Sequence, residues 1–187
     1  MIYLSKGAAC KDPLTKRPAV CYAGKVYPLS AAEKRIWDNG RFGFIETGKR
    51  DDMEAVTRLG ELGIMEAEQE NTADSRYHLL TRCFFCPAKK AVNLRRMSVD
   101  ENRLYTWIRY AGLRLTVAKL IYLVDHRVEP TEDLLHEQNR QALVEKIYTV
   151  DTIADRILEG QMEFARCRDK VIENLIGLLR KRYVIVL

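Results

Sequence analysis

The sequence predicts an α+β protein, with short strands and a β-hairpin ahead of helices in the N-terminal half and a mainly helical C-terminal half that closes on a strand. Three observations predict it. Glycine, proline and aspartate divide the first 29 residues into short β-prone runs. Ser30 stands three residues before Glu33, and Asp51 and Asp52 stand just ahead of Met53, Val56, Leu59 and Leu62; both are helix-start signatures. Beyond residue 100, apolar residues recur at helical intervals until a final run over 183–187.

Taken in order, Asp12-Pro13-Leu14-Thr15-Lys16 supplies the turn between strands over 2–11 and 18–22, and Gly24 separates these from a third strand over 25–29. In the capping box the Ser30 hydroxyl accepts from a first-turn amide while the Glu33 carboxylate reaches back to the Ser30 amide. This starts a helix over 30–38 that ends at Asn39-Gly40, where glycine takes the left-handed cap. The two aspartates put negative charge at the positive end of a helix over 51–62, and Gly63 stops it. Residues 64–69 and 76–85 then read as two strands around the polar turn 70–75. A helix followed by such a hairpin resembles a winged helix, so 1–88 is predicted to be a winged-helix-like domain carrying an N-terminal β-hairpin.

Residues 89–100, with Lys89, Lys90, Arg95 and Arg96, read as a basic linker to a helical domain over 101–187. Leu104, Trp107, Ile108 and Ala111 mark one helix, interrupted at Gly112, and Val117, Leu120, Ile121 and Val124 mark the next. A longer helix is expected over 131–148. Asp151 is read as capping a short helix through Leu158 that Gly160 ends, and Val171, Leu175, Leu178 and Leu179 set the inner face of a helix over 168–182. Short helix, longer helix and terminal strand repeat the winged-helix order.

No apolar run reaches the roughly 18 residues that span a bilayer, and the first residues lack the pattern of a signal peptide, so a cytoplasmic protein without membrane contact is expected. Its five cysteines are expected to be reduced thiols. The formal charge of +5 conceals blocks, of which residues 76–120 at +8 are the most basic and 31–75 and 121–160 at −5 each are acidic.

The run PAVCYAGKVYPLSAAEKRIWDNG, followed by RLGELGIM, resembles the pyrroloquinoline-quinone peptide-chaperone family and related recognition modules of ribosomal-peptide modification systems. The resemblance covers residues 1–66. It implies a three-stranded sheet with three helices that holds an extended precursor peptide against the sheet edge and the third helix. The chain departs from that pattern in the glycine-rich RFGFIETGK after Gly40 and in the extra segment 64–85.

Three functional readings follow. The first is a non-enzymatic peptide- or protein-recognition module or adaptor, binding a partner, or a second copy of itself, through Lys25, Val26 and Tyr27 on the sheet edge and Asp52, Ala55 and Arg58 on the following helix. The second is a DNA-binding regulator. The helix over 51–62 exposes mostly acids, which repel phosphate, so the C-terminal cations Arg166, Arg168, Lys170, Arg180, Lys181 and Arg182 carry that reading. Arg103, Arg109 and Arg114 beside Tyr105, Trp107 and Tyr110 offer a second basic and aromatic surface, set against plain burial of the ring stripe. The third reading is a zinc or thiol protein at Cys83 and Cys86, whose C-x-x-C spacing supplies half a zinc site that His78 and Cys10 or Cys21 would complete. Asp133 and His136 share a helical face, but HEQNR is not the H-E-x-x-H of zinc proteases. No nucleophile, acid–base pair or phosphate-cradling loop stands out, and neither catalysis nor a cofactor is expected.

Overall fold

Strand β1 (Ile2–Ser5) is buried at all four positions, because the sheet it centres separates two apolar layers. A computed structural model describes residues 1–48, 52–88, 92–110, 115–135, 140–148 and 154–187. In it β1 pairs antiparallel with β5 (Ile45–Glu46) on one side and β6 (Met65–Glu68) on the other. Alternate side chains of a strand point to opposite faces. Tyr3 accordingly packs with Ile36 and Trp37 of helix α1 (Ala31–Gly40) and with Val56 and Leu59 of α2 (Met53–Glu61). Leu4 packs into the larger cluster on the other face, with Tyr77, Leu80, Trp107 and Leu175.

The chain leaves β1 at Gly7, whose φ of 95° is a left-handed value that a side chain resists, and turns into a separate antiparallel meander. Strands β2 (Ala8–Lys11), β3 (Pro18–Tyr22) and β4 (Lys25–Pro28) form it in that order. The single strand expected over 2–11 is therefore two strands in two sheets. The expected hairpin turn is present: Asp12 Oδ1 accepts from the Leu14 and Thr15 amides at 2.8 and 2.7 Å.

Both helix-start signatures are realised. Ser30 and Glu33 close a reciprocal capping box on α1, and Asp52 caps α2 by accepting from the Glu54 and Ala55 amides. Asp51 lies outside the described residues. Gly40 does not take the left-handed cap expected of it. It sits inside α1, where an added Cβ would meet Ser5 Oγ at 2.4 Å and Tyr3 at 2.9 Å, so glycine is there to let α1 approach β1.

The strand expected over 76–85 is a helix instead. Thr72 accepts from the Ser75 amide at 3.0 Å and opens α3 (Ala73–Thr81), so the polar run read as a turn is a helix N-terminus. Only its end is extended, as β7 (Phe85–Pro87), which pairs antiparallel with the terminal strand β8 (Val184–Val186). Tyr77, Leu80, Cys83 and Phe85 thereby join the second cluster with α4 (Val99–Tyr110), α5 (Val117–Asp125), α6 (Glu132–Leu135), α7 (Arg140–Ile147), α8 (Asp155–Met162) and α9 (Arg168–Arg180).

In this second layer α4 begins before residue 100, and a 3₁₀ turn at Leu94–Arg96 precedes it. Ser98 and Glu101 form another capping box. The Glu101 carboxylate, 6% exposed, also receives Lys181 Nζ from the end of α9 at 2.7 and 2.5 Å. An added Cβ at Gly177 would stand 2.5 Å from that carboxylate, so the α4–α9 contact depends on glycine there. Gly160 lies inside α8 and does not end it, and Asp151 is outside the described residues, as are Gly112 and positions 136–139 of the expected helix 131–148. The inner face of α9 is as expected, with Val171, Leu175, Leu178 and Leu179 buried.

Candidate functional site

The β2–β3–β4 meander carries the predicted edge residues, and its register decides which backbone groups are free. Ala23 and Gly24, with φ of 48° and 78°, make a two-residue turn that leaves Tyr22 and Lys25 as a directly bonded pair. Bonded and non-bonded pairs alternate along an antiparallel ladder, so Tyr27 also bonds inward, and the Leu29 amide bonds to the Pro18 carbonyl at 3.1 Å. The outward groups of β4 are those of Val26 and Pro28. Proline has no N–H, which leaves the Val26 amide as the one outward donor of that strand.

The opposite edge offers more. On β2 the residues bonded to β3 are Ala8 and Cys10, opposite Cys21 and Ala19, and the Asp12 amide continues the series to Arg17 at 2.9 Å. Ala9 and Lys11 therefore present both N–H and C=O outward. Gly7 has the same parity, and its amide donates to the Val186 carbonyl at 2.8 Å. Among the described residues no strand pairs with β2 beyond this point.

The two faces of the meander differ. Val20, Tyr22 and Tyr27 turn toward the first apolar cluster. Ala8, Cys10, Cys21, Val26 and Pro28 form the other face, which carries no charge, and Val26 is 40% exposed. Lys11, Lys25, Arg17 and Lys16 ring this sheet with positive charge, while the nearby acid Asp12 is engaged with its own turn. Beside the Arg17 end lies an open groove of about 720 Å³ along α1, lined by Pro18, Leu29, Lys34 and Arg35.

The helix residues of the first reading sit differently. Asp52 is a cap, Ala55 is 6% exposed and faces the core, and Arg58 Nη1 reaches Glu33 at 3.0 Å. The Arg58–Glu33 contact ties α2 to α1, and Ala55 shares the first apolar cluster with Tyr27.

The DNA candidates are dispersed and partly neutralised. Arg168 is held by Asp74 at 2.7 Å and Asp169 at 2.8 Å, Lys170 by Asp100 at 2.6 Å, and Lys181 by Glu101. Arg166, Arg180 and Arg182 are exposed. Of the aromatic stripe, Tyr105 and Trp107 are buried core, Arg103 is bonded to Glu129, and Arg109 stacks on the exposed Tyr110 at 4.7 Å. Arg114 is outside the described residues.

The Cys83 thiol is fully buried, donates to the Leu79 carbonyl at 3.2 Å, and is pushed up to about 12 by burial. His78 faces Glu163 at 3.0 Å, and Cys10 and Cys21 lie on the meander. Among the described residues no three His, Cys, Asp or Glu side chains converge as a metal cluster, and His136 is outside them. No described helix is long and apolar enough to cross a membrane.

Comparison with known proteins finds no family model, no curated sequence and no solved structure that matches this chain. The β2 edge was not singled out from the sequence, because Ala8-Ala9-Cys10-Lys11 reads as the end of one longer strand until Gly7 is seen to divide it.

Proposed function

We propose that this protein is a non-enzymatic recognition module that binds an extended segment of a peptide or protein partner by strand addition to the meander, at β2. The observation that carries the reading is the pair of outward amides and carbonyls at Ala9 and Lys11, on a strand edge lined by small side chains. Edge strands left open in this way are templates for another chain unless blocked. Here β4 is blunted by Pro28 and β2 is not. The uncharged face around Cys10 and Cys21 suits apolar residues at alternate positions of the incoming strand. The cations Lys11, Lys16 and Arg17 suit acidic residues at the positions between.

The test is selection of 12-residue peptides from a random display library, followed by binding measurements with Ala9→Pro and Val26→Pro proteins. Proline at position 9 removes an amide that no described residue uses, so folding is preserved while strand addition is lost. Enriched peptides that alternate apolar and acidic residues and lose binding in Ala9→Pro but not Val26→Pro are the expected result. Failure to enrich any peptide, or equal binding by both variants, contradicts the reading.

A DNA-binding role is the second reading, favoured by the exposed Arg166, Arg180 and Arg182. Its signature is affinity for duplex DNA that falls steeply with salt.

A further inference from the structure

Arg41 and, from the far end of the chain, Arg180 and Arg182 meet at the Phe42-Gly43 turn. Arg41 Cζ lies 4.7 Å from the Trp37 ring centroid and 5.1 Å from that of Phe42, and Arg182 Cζ lies 4.6 Å from Phe42. Two charges at those distances from one ring are no more than about 10 Å apart. Arg180 joins them: its Nε stands 3.7 Å from the Cβ position of Gly43. Lys181, between the two C-terminal arginines, is drawn away to Glu101.

Arg182 occupies an unusual backbone position. It follows α9 with a φ of 61°, its amide bonding to the Leu179 carbonyl and the next amide to Leu178, which is the helix ending that glycine normally occupies. A side chain there is strained, and such strain points to a use for the side chain. Its guanidinium lies over Phe42, and among the described residues it makes no side-chain hydrogen bond. The carboxylates around the cluster are few. Asp38 approaches Arg41 at 3.7 Å and also holds Lys34, while Glu46 and Glu173 line the same cleft as Arg180 without an ion pair to it among the described residues. Among the described residues no carboxylate pairs with Arg180 or Arg182.

Stacked guanidiniums keep their donor forks turned outward, and that fork matches the oxygens of a phosphate. We infer that Arg41, Arg180 and Arg182 form a binding site for a multiply charged phosphate anion, either inorganic or the phosphate tail of a nucleotide. This site is separate from the β2 edge and does not depend on the peptide reading.

The experiment titrates inorganic pyrophosphate into the full chain by calorimetry at fixed ionic strength, with sulfate as the comparison anion and ADP as a second phosphate source. Arg182→Gly is the decisive variant, because glycine relieves the backbone strain and the fold survives; thermal melting checks this. Arg180→Gln is a second variant, and Arg127→Gly, at another helix end with positive φ, is the control. Saturable pyrophosphate binding, stronger than that of sulfate and weakened by at least about tenfold in Arg182→Gly and Arg180→Gln but not in Arg127→Gly, is the expected result. ADP binding more tightly than pyrophosphate assigns the anion to a nucleotide; equal or weaker binding assigns it to inorganic phosphate. No saturable binding at millimolar pyrophosphate, or unchanged affinity in Arg182→Gly, overturns the inference.

Discussion

Cys83 carries a thiol sealed in the core, 0% exposed. Burial raises its folded-state pKa from about 9 to about 12, so the unfolded chain loses this proton first as pH rises. The contribution is fully present below pH 9 and is lost between roughly pH 9 and 12, since the unfolded state binds fewer protons there. Cys167, raised to about 11 by burial and Asp125, adds in the same direction. Denaturant melts from pH 8 to 10.5 are therefore expected to show falling stability, with a shallower fall in Cys83→Ala. At neutral pH that variant should lose about 1 kcal/mol from the vacated volume, and EDTA should leave the melting temperature of the wild type unchanged. At the same scale Arg127, with φ of 53°, is predicted to tolerate glycine with a gain of about 0.5–1 kcal/mol, read from a urea midpoint.

At the scale of elements, caps were the signals that carried through from sequence to structure. Ser30 with Glu33 and Asp52 with its two amides behave as their spacing implies, because a cap is satisfied by neighbours in the chain. Thr72 was an equally good cap but went unread. Ala73-Asp74-Ser75 has turn composition, and α3 lies between β6, α5 and α9 with Tyr77, Leu79 and Leu80 all buried, so its apolar pattern shows no single stripe. Glycines 40 and 160 misled for a related reason: each interrupts a helical pattern in the sequence but sits inside a helix, Gly40 where backbones approach and Gly160 in open space. Thr72→Ala should cost about 1 kcal/mol by urea denaturation. Glu101→Ala, which releases Lys181 and opens the cap of α4, should cost about 2 kcal/mol in the same assay.

For the whole molecule, the α+β class was legible because strand-prone and helix-prone segments are segregated along the chain. The partition made by β1 was not. Whether a four-residue run is covered on one face or on both depends on helices more than 150 residues away, such as α9. The candidate sites follow the same rule. Lys25, Val26 and Tyr27 could be placed on an edge from the turn that precedes them, but which edge has free amides depends on bonding parity and on Pro28. Arg180 and Arg182 stood out as C-terminal cations, but nothing local in the sequence joins them to Arg41, about 140 residues earlier. The C-terminal cations that looked available in sequence are held in part by Asp74, Asp100 and Glu101 from other elements.

The most direct test of β2 recognition is residue-resolved amide hydrogen exchange, with and without a saturating library-selected peptide. The account predicts fast exchange at Ala9 and Lys11 in the free protein, strong slowing at both in the complex, and no change at Val26. Protection at Val26 with Ala9 and Lys11 unaffected would contradict it, as would a complex in which none of the three amides slows.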